Sequence, residues 1–128
     1  MKLLLDTHTF IWWDSEPAKL SARVLKLCQD QANIVLFSVV SAWEIQIKLQ
    51  LDKLKLNLSL AEVIERQQQT NNIEVLPVTL AHVLALQDLP AYHKDPFDRL
   101  LIAQANAEGA VLLSNDLAFA NYSVELIW

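Results

Sequence analysis

The sequence predicts an α/β fold in which a single domain, residues 1–128, builds a central parallel sheet of four to five strands flanked by helices on both faces. Short apolar runs such as Leu3–Leu5 and Val111–Leu113 show no polar alternation, which is typical of strands buried on both faces. Helical patterns separate these runs along the whole chain, as right-handed crossovers between parallel strands require. The chain is 53% hydrophobic and has one glycine, which favours a packed, helix-rich core over disorder.

The first half of the chain alternates strand and helix signals. Lys2–Leu5 is a buried strand that Asp6 stops, and a helix can begin within residues 7–13. Pro17 marks a break, after which Lys19–Gln31 has the apolar spacing of an amphipathic helix, with Cys28 on its core face. Ile34–Phe37 is a second buried strand, and either Ser38 or Ser41 caps the helix that follows it to about Leu51.

The middle of the chain predicts three further elements. Leu60–Thr70 is a helix with a polar outer face. Ile73–Val78 is a strand near an edge of the sheet, because Pro77 removes a ladder donor. Thr79 caps a helix that continues to about Gln87.

The best-defined helix start lies at Asp95. Asp95 is an N-cap, Pro96 takes the first helical position, and Asp98 takes the third, where a carboxylate meets the positive end of the helix dipole. Gly109 ends this helix as a left-handed residue. Val111–Leu113 is the fourth buried strand, and residues 124–127 can form a last one.

Composition limits the classes of protein that remain. Cys28 is the only cysteine, which excludes an internal disulfide and suits a reducing compartment. Residues 3–5 are too few for the apolar region of a signal peptide, and the longest nearly apolar run, Ile34–Trp43, is about half of a membrane span. We therefore expect a cytoplasmic protein without a membrane partner. The net charge of −5 argues against a broad basic surface for nucleic acid, although acids gathered in one metal site would contribute to that charge.

Acidic side chains follow the predicted strands and open one helix. Asp6 directly follows the first strand and Asp116 lies three residues beyond the fourth, so both belong at the carboxyl edge of the sheet. Asp98 heads an otherwise small and apolar helical stripe, which indicates a partly buried carboxylate in need of a partner.

Glu44 has two interpretations. It fits a capping box with Ser41 and a one-turn ion pair with Lys48. Alternatively, the helix begins at Ser38 and Glu44 faces inward from the second turn, toward the other acids. Clustered carboxylates repel one another unless a cation intervenes. Ligation by oxygen alone suits Mg²⁺ or Mn²⁺, and no Cys/His spacing for Zn²⁺ is present.

The ordered set of motifs resembles the PIN-domain ribonucleases, and is most similar to the VapC toxins of bacterial toxin–antitoxin pairs. The resemblance covers nearly the whole chain and rests on Leu3–Asp6, Ser38–Glu44, Asp95–Arg99 with the small residues up to Ala105, and Leu113–Asp116. The family more often has Thr where this chain has Ser114, a change that keeps the hydroxyl.

The resemblance implies a Mg²⁺- or Mn²⁺-dependent endoribonuclease whose acidic, metal-holding residues are Asp6, Glu44, Asp98 and Asp116. Asp95 is either a further contact to the metal or its water, or only the N-cap. Metal-activated water would attack in line and leave a 5′-phosphate and a 3′-hydroxyl. By analogy, a small antitoxin protein binds the toxin and blocks its cleft, and the toxin forms a homodimer.

Three further questions stay open from sequence. His8 and His93 lie close to ligand acids and are candidates for a general base, which metal-activated water does not require. Lys48, Lys94 and Arg99 are either RNA-phosphate contacts or solvated charges. The alternative function is a catalytically silent scaffold of the same fold that binds RNA or protein, against which the presence of all four acids argues.

Overall fold

The computed structural model describes residues 1–92 and 94–128. Within these residues the chain forms one parallel sheet of five strands and six α-helices. The strands are β1 (Lys2–Leu5), β2 (Ile34–Ser38), β3 (Glu74–Leu76), β4 (Val111–Leu113) and β5 (Leu126–Ile127). The helices are α1 (Thr7–Ser15), α2 (Ala22–Gln29), α3 (Val39–Gln50), α4 (Leu60–Asn71), α5 (Leu80–Ala85) and α6 (Pro96–Glu108). The predicted α/β fold with a central parallel sheet is confirmed.

The strand order is β3-β2-β1-β4-β5, so the winding direction reverses beside β1. In parallel sheets such a reversal opens a crevice beyond the carboxyl ends of the strands. Leu5, the last residue of β1, pairs with Phe37 on one side and with Leu113 on the other. Asp6 and Ser114 therefore leave the sheet side by side, and Ser38, the last residue of β2, lies next to Asp6.

The two faces of the sheet bury separate apolar clusters. Leu3 and Leu5 point into the larger cluster, which α1 to α4 cover, whereas Leu4 points into the smaller one under α6. This period-2 division is what strands buried on both faces require. The protein in its described part has no helix long and apolar enough to cross a membrane.

Several element boundaries differ from the sequence prediction. Pro17–Lys19 forms a short 3₁₀ turn, so α2 starts at Ala22 behind the N-cap Ser21, later than the predicted Lys19. The helix after Thr79 ends at Ala85 and continues only as a 3₁₀ turn, Leu86–Asp88. β3 is shorter than predicted and lies at the edge of the sheet, as Pro77 indicated. Sequence patterns locate elements better than they locate element ends.

Two predicted structural roles are confirmed. Gly109 ends α6 with a φ of +63°, the left-handed conformation that favours glycine. Cys28 lies in the core, and burial raises the pKa of its thiol to about 12, so the thiol stays protonated and unreactive.

A buried polar network fixes α6 against the start of α3. Ser38 is the N-cap of α3, and its hydroxyl also donates to the side-chain carbonyl of the fully buried Gln104 on α6. His82 accepts from the backbone N–H of Thr79, and its Nε2 lies 3.0 Å from a Glu108 carboxylate oxygen on α6. Sequence reasoning found no role for His82, which is 1% exposed and joins α5 to α6.

Candidate active site

A pocket of about 200 Å³ lies at the carboxyl edge of the sheet, between α1, α3 and α6. Carboxylates from four separate parts of the chain line it: Asp6, Glu44, Asp95 with Asp98, and Asp116. Thr7, His8 and Lys48 also line it. The structure therefore brings all four predicted site acids, and Asp95, to one place.

Asp6 is the most deeply held of these acids. It follows β1, caps α1 and is only 5% exposed. Its Oδ1 accepts from the backbone N–H of Thr9 at 2.8 Å, and its Oδ2 accepts from the hydroxyl of Ser114. Both oxygens thus have fixed donors, as a buried carboxylate requires.

Glu44 points inward from the second turn of α3. The helix begins after Ser38, so the interpretation of Ser41 as the N-cap in a capping box is wrong. The hydroxyl of Thr7 donates to Glu44 Oε1 at 2.7 Å, and the ammonium of Lys48 lies 3.0 Å from Oε2. The one-turn ion pair and the inward orientation, weighed as alternatives from sequence, occur together.

The α6 acids differ in position on the helix. Asp95 is the N-cap, and its Oδ1 accepts from the backbone N–H groups of Phe97 at 2.8 Å and Asp98 at 3.2 Å. Asp98, in the first turn, is half-buried, as its place at the head of an apolar stripe predicted. Both side chains line the pocket, so the capping role of Asp95 does not remove it from the site.

Asp116 lies at the exposed edge of the pocket. It caps the 3₁₀ turn Leu117–Asn121, and its Oδ1 accepts from the N–H of Ala118 at 2.9 Å. Its own N–H donates to the Ser114 hydroxyl at 3.0 Å. Ser114 therefore joins Asp116 to Asp6 through a single buried hydroxyl.

The donor chemistry fits Mg²⁺ or Mn²⁺, since the pocket offers carboxylate oxygens from separate elements and no thiolate. Among the described residues, however, no three His, Cys, Asp or Glu side chains converge closely enough to hold a metal ion. The contacts above explain this spacing, because Asp6, Glu44, Asp95 and Asp116 each bind a protein donor.

Of the residues considered as RNA contacts or as a general base, some line the pocket and others do not. Arg99 donates to the carbonyl of Pro90 at 2.8 Å, and Lys94 is exposed, whereas Lys48 lines the pocket itself. His8 is exposed and also lines the pocket, while the prediction for His93 falls outside the described residues.

Sequence reasoning missed the support that Thr7 gives to Glu44. Thr7 is 3% exposed and lies within hydrogen-bond distance of both Glu44 and the buried Ser41. The available signal was its place directly after Asp6, at the end of a buried strand.

A larger cavity of about 550 Å³ lies elsewhere, between α6 and the loop around Pro90. Asp88 is the one carboxylate among its described lining residues. Because ionisable groups do not cluster there, volume alone does not make it the better candidate.

Comparison with known proteins identifies the family of this chain. Residues 3–125 match the family model described as PIN domain. The chain belongs to the PIN domain family. Among curated proteins it is similar to Ribonuclease VapC22 of Mycobacterium tuberculosis, with 24% identity over 115 residues, 89% of this chain and 86% of the relative.

Solved structures share the PIN fold over nearly the whole chain. One is VapBC2 from Rickettsia felis bound to a DNA fragment from the promoter. The match has a TM-score of 0.76 and 17% identity, and it covers 99% of this chain and 98% of the matched chain. FitAcB from Neisseria gonorrhoeae gives 0.62 at 18% identity, covering 98% and 96%. The resemblance to VapC-type PIN domains drawn from the sequence motifs is confirmed.

Proposed function

We propose that this PIN domain is a Mg²⁺- or Mn²⁺-dependent endoribonuclease and the toxin of a type II toxin–antitoxin pair. The observation that carries the proposal is the gathering of Asp6, Glu44, Asp98 and Asp116, from four separate parts of the fold, around one pocket. A PIN-domain relative named as a ribonuclease supports the reaction class.

In this proposal Asp6, Glu44, Asp98 and Asp116 hold the divalent cation. When bound, such a cation lowers the pKa of water and stabilises charge on a phosphate. The chain's own part is to keep the carboxylates ready: Ser114 orients Asp6, and Thr7 orients Glu44. Hydrogen bonds from buried hydroxyls behind the carboxylates would fix the orientation of such ligands.

The products follow from the reaction class. Water attacks phosphorus in line with the leaving 3′ oxygen, the bond from phosphorus to that oxygen breaks, and a proton passes to it. The cut leaves a 5′-phosphate and a 3′-hydroxyl. Asp95 mainly preserves the start of α6, and through it the place of Asp98.

The test is RNA cleavage by the purified protein with Mg²⁺ or Mn²⁺, with and without EDTA, beside the variant Asp6→Asn. We expect cleavage that EDTA and the variant both abolish, with ends that a 5′-phosphate-dependent exonuclease degrades. Equal cleavage by both proteins in EDTA would contradict the proposal. A clean, folded preparation that cuts no RNA would favour the silent scaffold instead.

We also infer a cognate antitoxin and a homodimer in the cytoplasm. The likeness to the VapBC structures supports an antitoxin partner. An exposed apolar stripe on α5 supports self-association: Leu80, Val83 and Leu84 lie at helical spacing and are 73%, 46% and 60% exposed.

Two measurements test these partners. Induction of the chain should arrest bacterial growth, and coexpression of the gene beside it should restore growth; arrest that persists would contradict an antitoxin there. Light scattering should give the mass of a dimer for the wild type and of a monomer for Leu84→Lys. A monomeric wild type would contradict the dimer.

A further inference from the structure

Lys48 places a positive charge inside the acidic pocket. It lies on α3 one turn beyond Glu44, its ammonium is 3.0 Å from Glu44 Oε2, and its side chain is 30% exposed. It lines the same pocket as the four proposed metal-holding acids. Among the described lining residues it is the only lysine or arginine beside five carboxylates.

The two oxygens of Glu44 are held in different ways. Oε1 accepts from the hydroxyl of Thr7, a buried residue with a short side chain in the first turn of α1. Oε2 faces an ammonium on a flexible four-carbon stem, whose length allows it to turn toward another anion. Oε2 is therefore the oxygen that can change partner while Oε1 keeps the carboxylate in place.

The charges in the pocket decide when Glu44 Oε2 pairs with Lys48 and when it does not. Without a divalent cation, the ammonium relieves repulsion among the carboxylates. When Glu44 Oε2 turns to a divalent cation, the ammonium loses its partner and is repelled by the new positive charge. In a working complex the RNA backbone brings a new anion to this pocket, which the carboxylates alone would repel.

We propose that Lys48 exchanges partners: it binds Glu44 in the metal-free protein and binds an RNA phosphate beside the cleaved bond once the site is loaded. Lys48 thereby serves as a competitor of the metal in one state and as a substrate contact in the other. This inference rests on the proposed function, and it makes two predictions, of which the first is independent of cleavage.

The first prediction concerns Mn²⁺ alone. Electron paramagnetic resonance of free Mn²⁺, titrated into metal-free protein, should show about two- to five-fold tighter binding to Lys48→Met, because a partly exposed ion pair no longer has to break. Lys48→Arg should bind Mn²⁺ like the wild type. The matched control is Lys53→Met, an exposed lysine just beyond the same helix, which should change nothing.

The second prediction concerns RNA. Initial rates on a pool of fluorogenic single-stranded RNA 20-mers of random sequence should give a higher apparent KM for Lys48→Met, with a smaller change in kcat. The slope of log KM against log salt should become shallower by about 0.7, the loss of one phosphate contact on a single strand. Lys48→Arg should restore both quantities, and thermal melting verifies that each variant is folded.

The possible results distinguish failure of the Lys48 exchange from failure of the nuclease proposal. Unchanged or weaker Mn²⁺ binding by Lys48→Met overturns the exchange at Glu44, and an unchanged salt slope overturns the phosphate contact. Either result with an active wild type leaves the nuclease proposal intact. A wild type that binds no Mn²⁺ and cuts no RNA defeats the nuclease proposal, and the exchange with it.

Discussion

The pocket has a buried half and an exposed half, and its carboxylates are held differently in each. In the buried half, side chains distant in sequence hold the acids in addition to local contacts: Ser114 donates to Asp6, which also caps α1, and Thr7 donates to Glu44, which also pairs with Lys48. In the exposed half, Asp95 and Asp116 accept backbone N–H groups from within three residues of themselves. The comparison teaches that the fold adds distant donors to the acids of the buried half, whereas local capping geometry positions Asp95 and Asp116.

The largest expected effect comes from the buried half. Asp6→Asn keeps the shape of the side chain but removes its charge, and we expect kcat/KM for RNA to fall by at least about a hundred-fold, more than loss of a residue behind a ligand typically costs. Equal thermal melting temperatures would establish that the variant is folded. More than a tenth of wild-type activity would contradict the role assigned to Asp6.

Ser114 sharpens the comparison because it touches both halves. Ser114→Ala removes the donor to Asp6 and the acceptor for the Asp116 N–H, so we expect a ten- to about a hundred-fold loss of cleavage. Ser114→Thr keeps the hydroxyl and serves as the matched control. If the Ala and Thr variants cleave RNA equally well, the hydroxyl does not position these acids.

Thr7→Val should have a smaller effect, about ten-fold on kcat/KM, since it removes one donor to Glu44 but leaves the charge of every carboxylate in place. Thr7→Ser restores the donor and should recover most of the activity. Wild-type activity in Thr7→Val would mean that the Thr7 hydroxyl does not position Glu44.

Asp95→Asn should have the smallest effect, because asparagine is also a good N-cap. We expect activity within a few-fold of the wild type, whereas Asp95→Ala should lower the free energy of unfolding by about 1 kcal/mol in urea denaturation. The matched variant Asp98→Asn should lose cleavage with little change in stability. Loss of activity in Asp95→Asn together with retention in Asp98→Asn would reverse the roles of these two acids.

The same division explains what could be predicted from sequence. The caps at Asp95 and Gly109 and the apolar runs of β1 and β4 depend on neighbouring residues, so local patterns predicted them. The gathering of Asp6 and Asp116 followed from the rule that parallel strands end at one edge.

The contacts that complete the site depend on pairings distant in sequence. Thr7 and Glu44 are 37 residues apart, and Asp6 and Ser114 are 108 apart. No local pattern encodes which hydroxyl meets which carboxylate, because the strand register and the packing of α1 against α3 bring them together. Glu44 both pairs with Lys48 and points inward to Thr7. The sequence could not predict that both contacts occur together, because this depends on where α3 lies relative to α1.

The most direct test of the central claim is an anomalous difference map from crystals of the protein grown with Mn²⁺. We predict a peak in the pocket, with oxygens of Asp6, Glu44, Asp98 and Asp116 bound to the ion directly or through water, and Lys48 moved away from Glu44. A map with no peak in this pocket, under conditions in which the protein cuts RNA, would contradict the account.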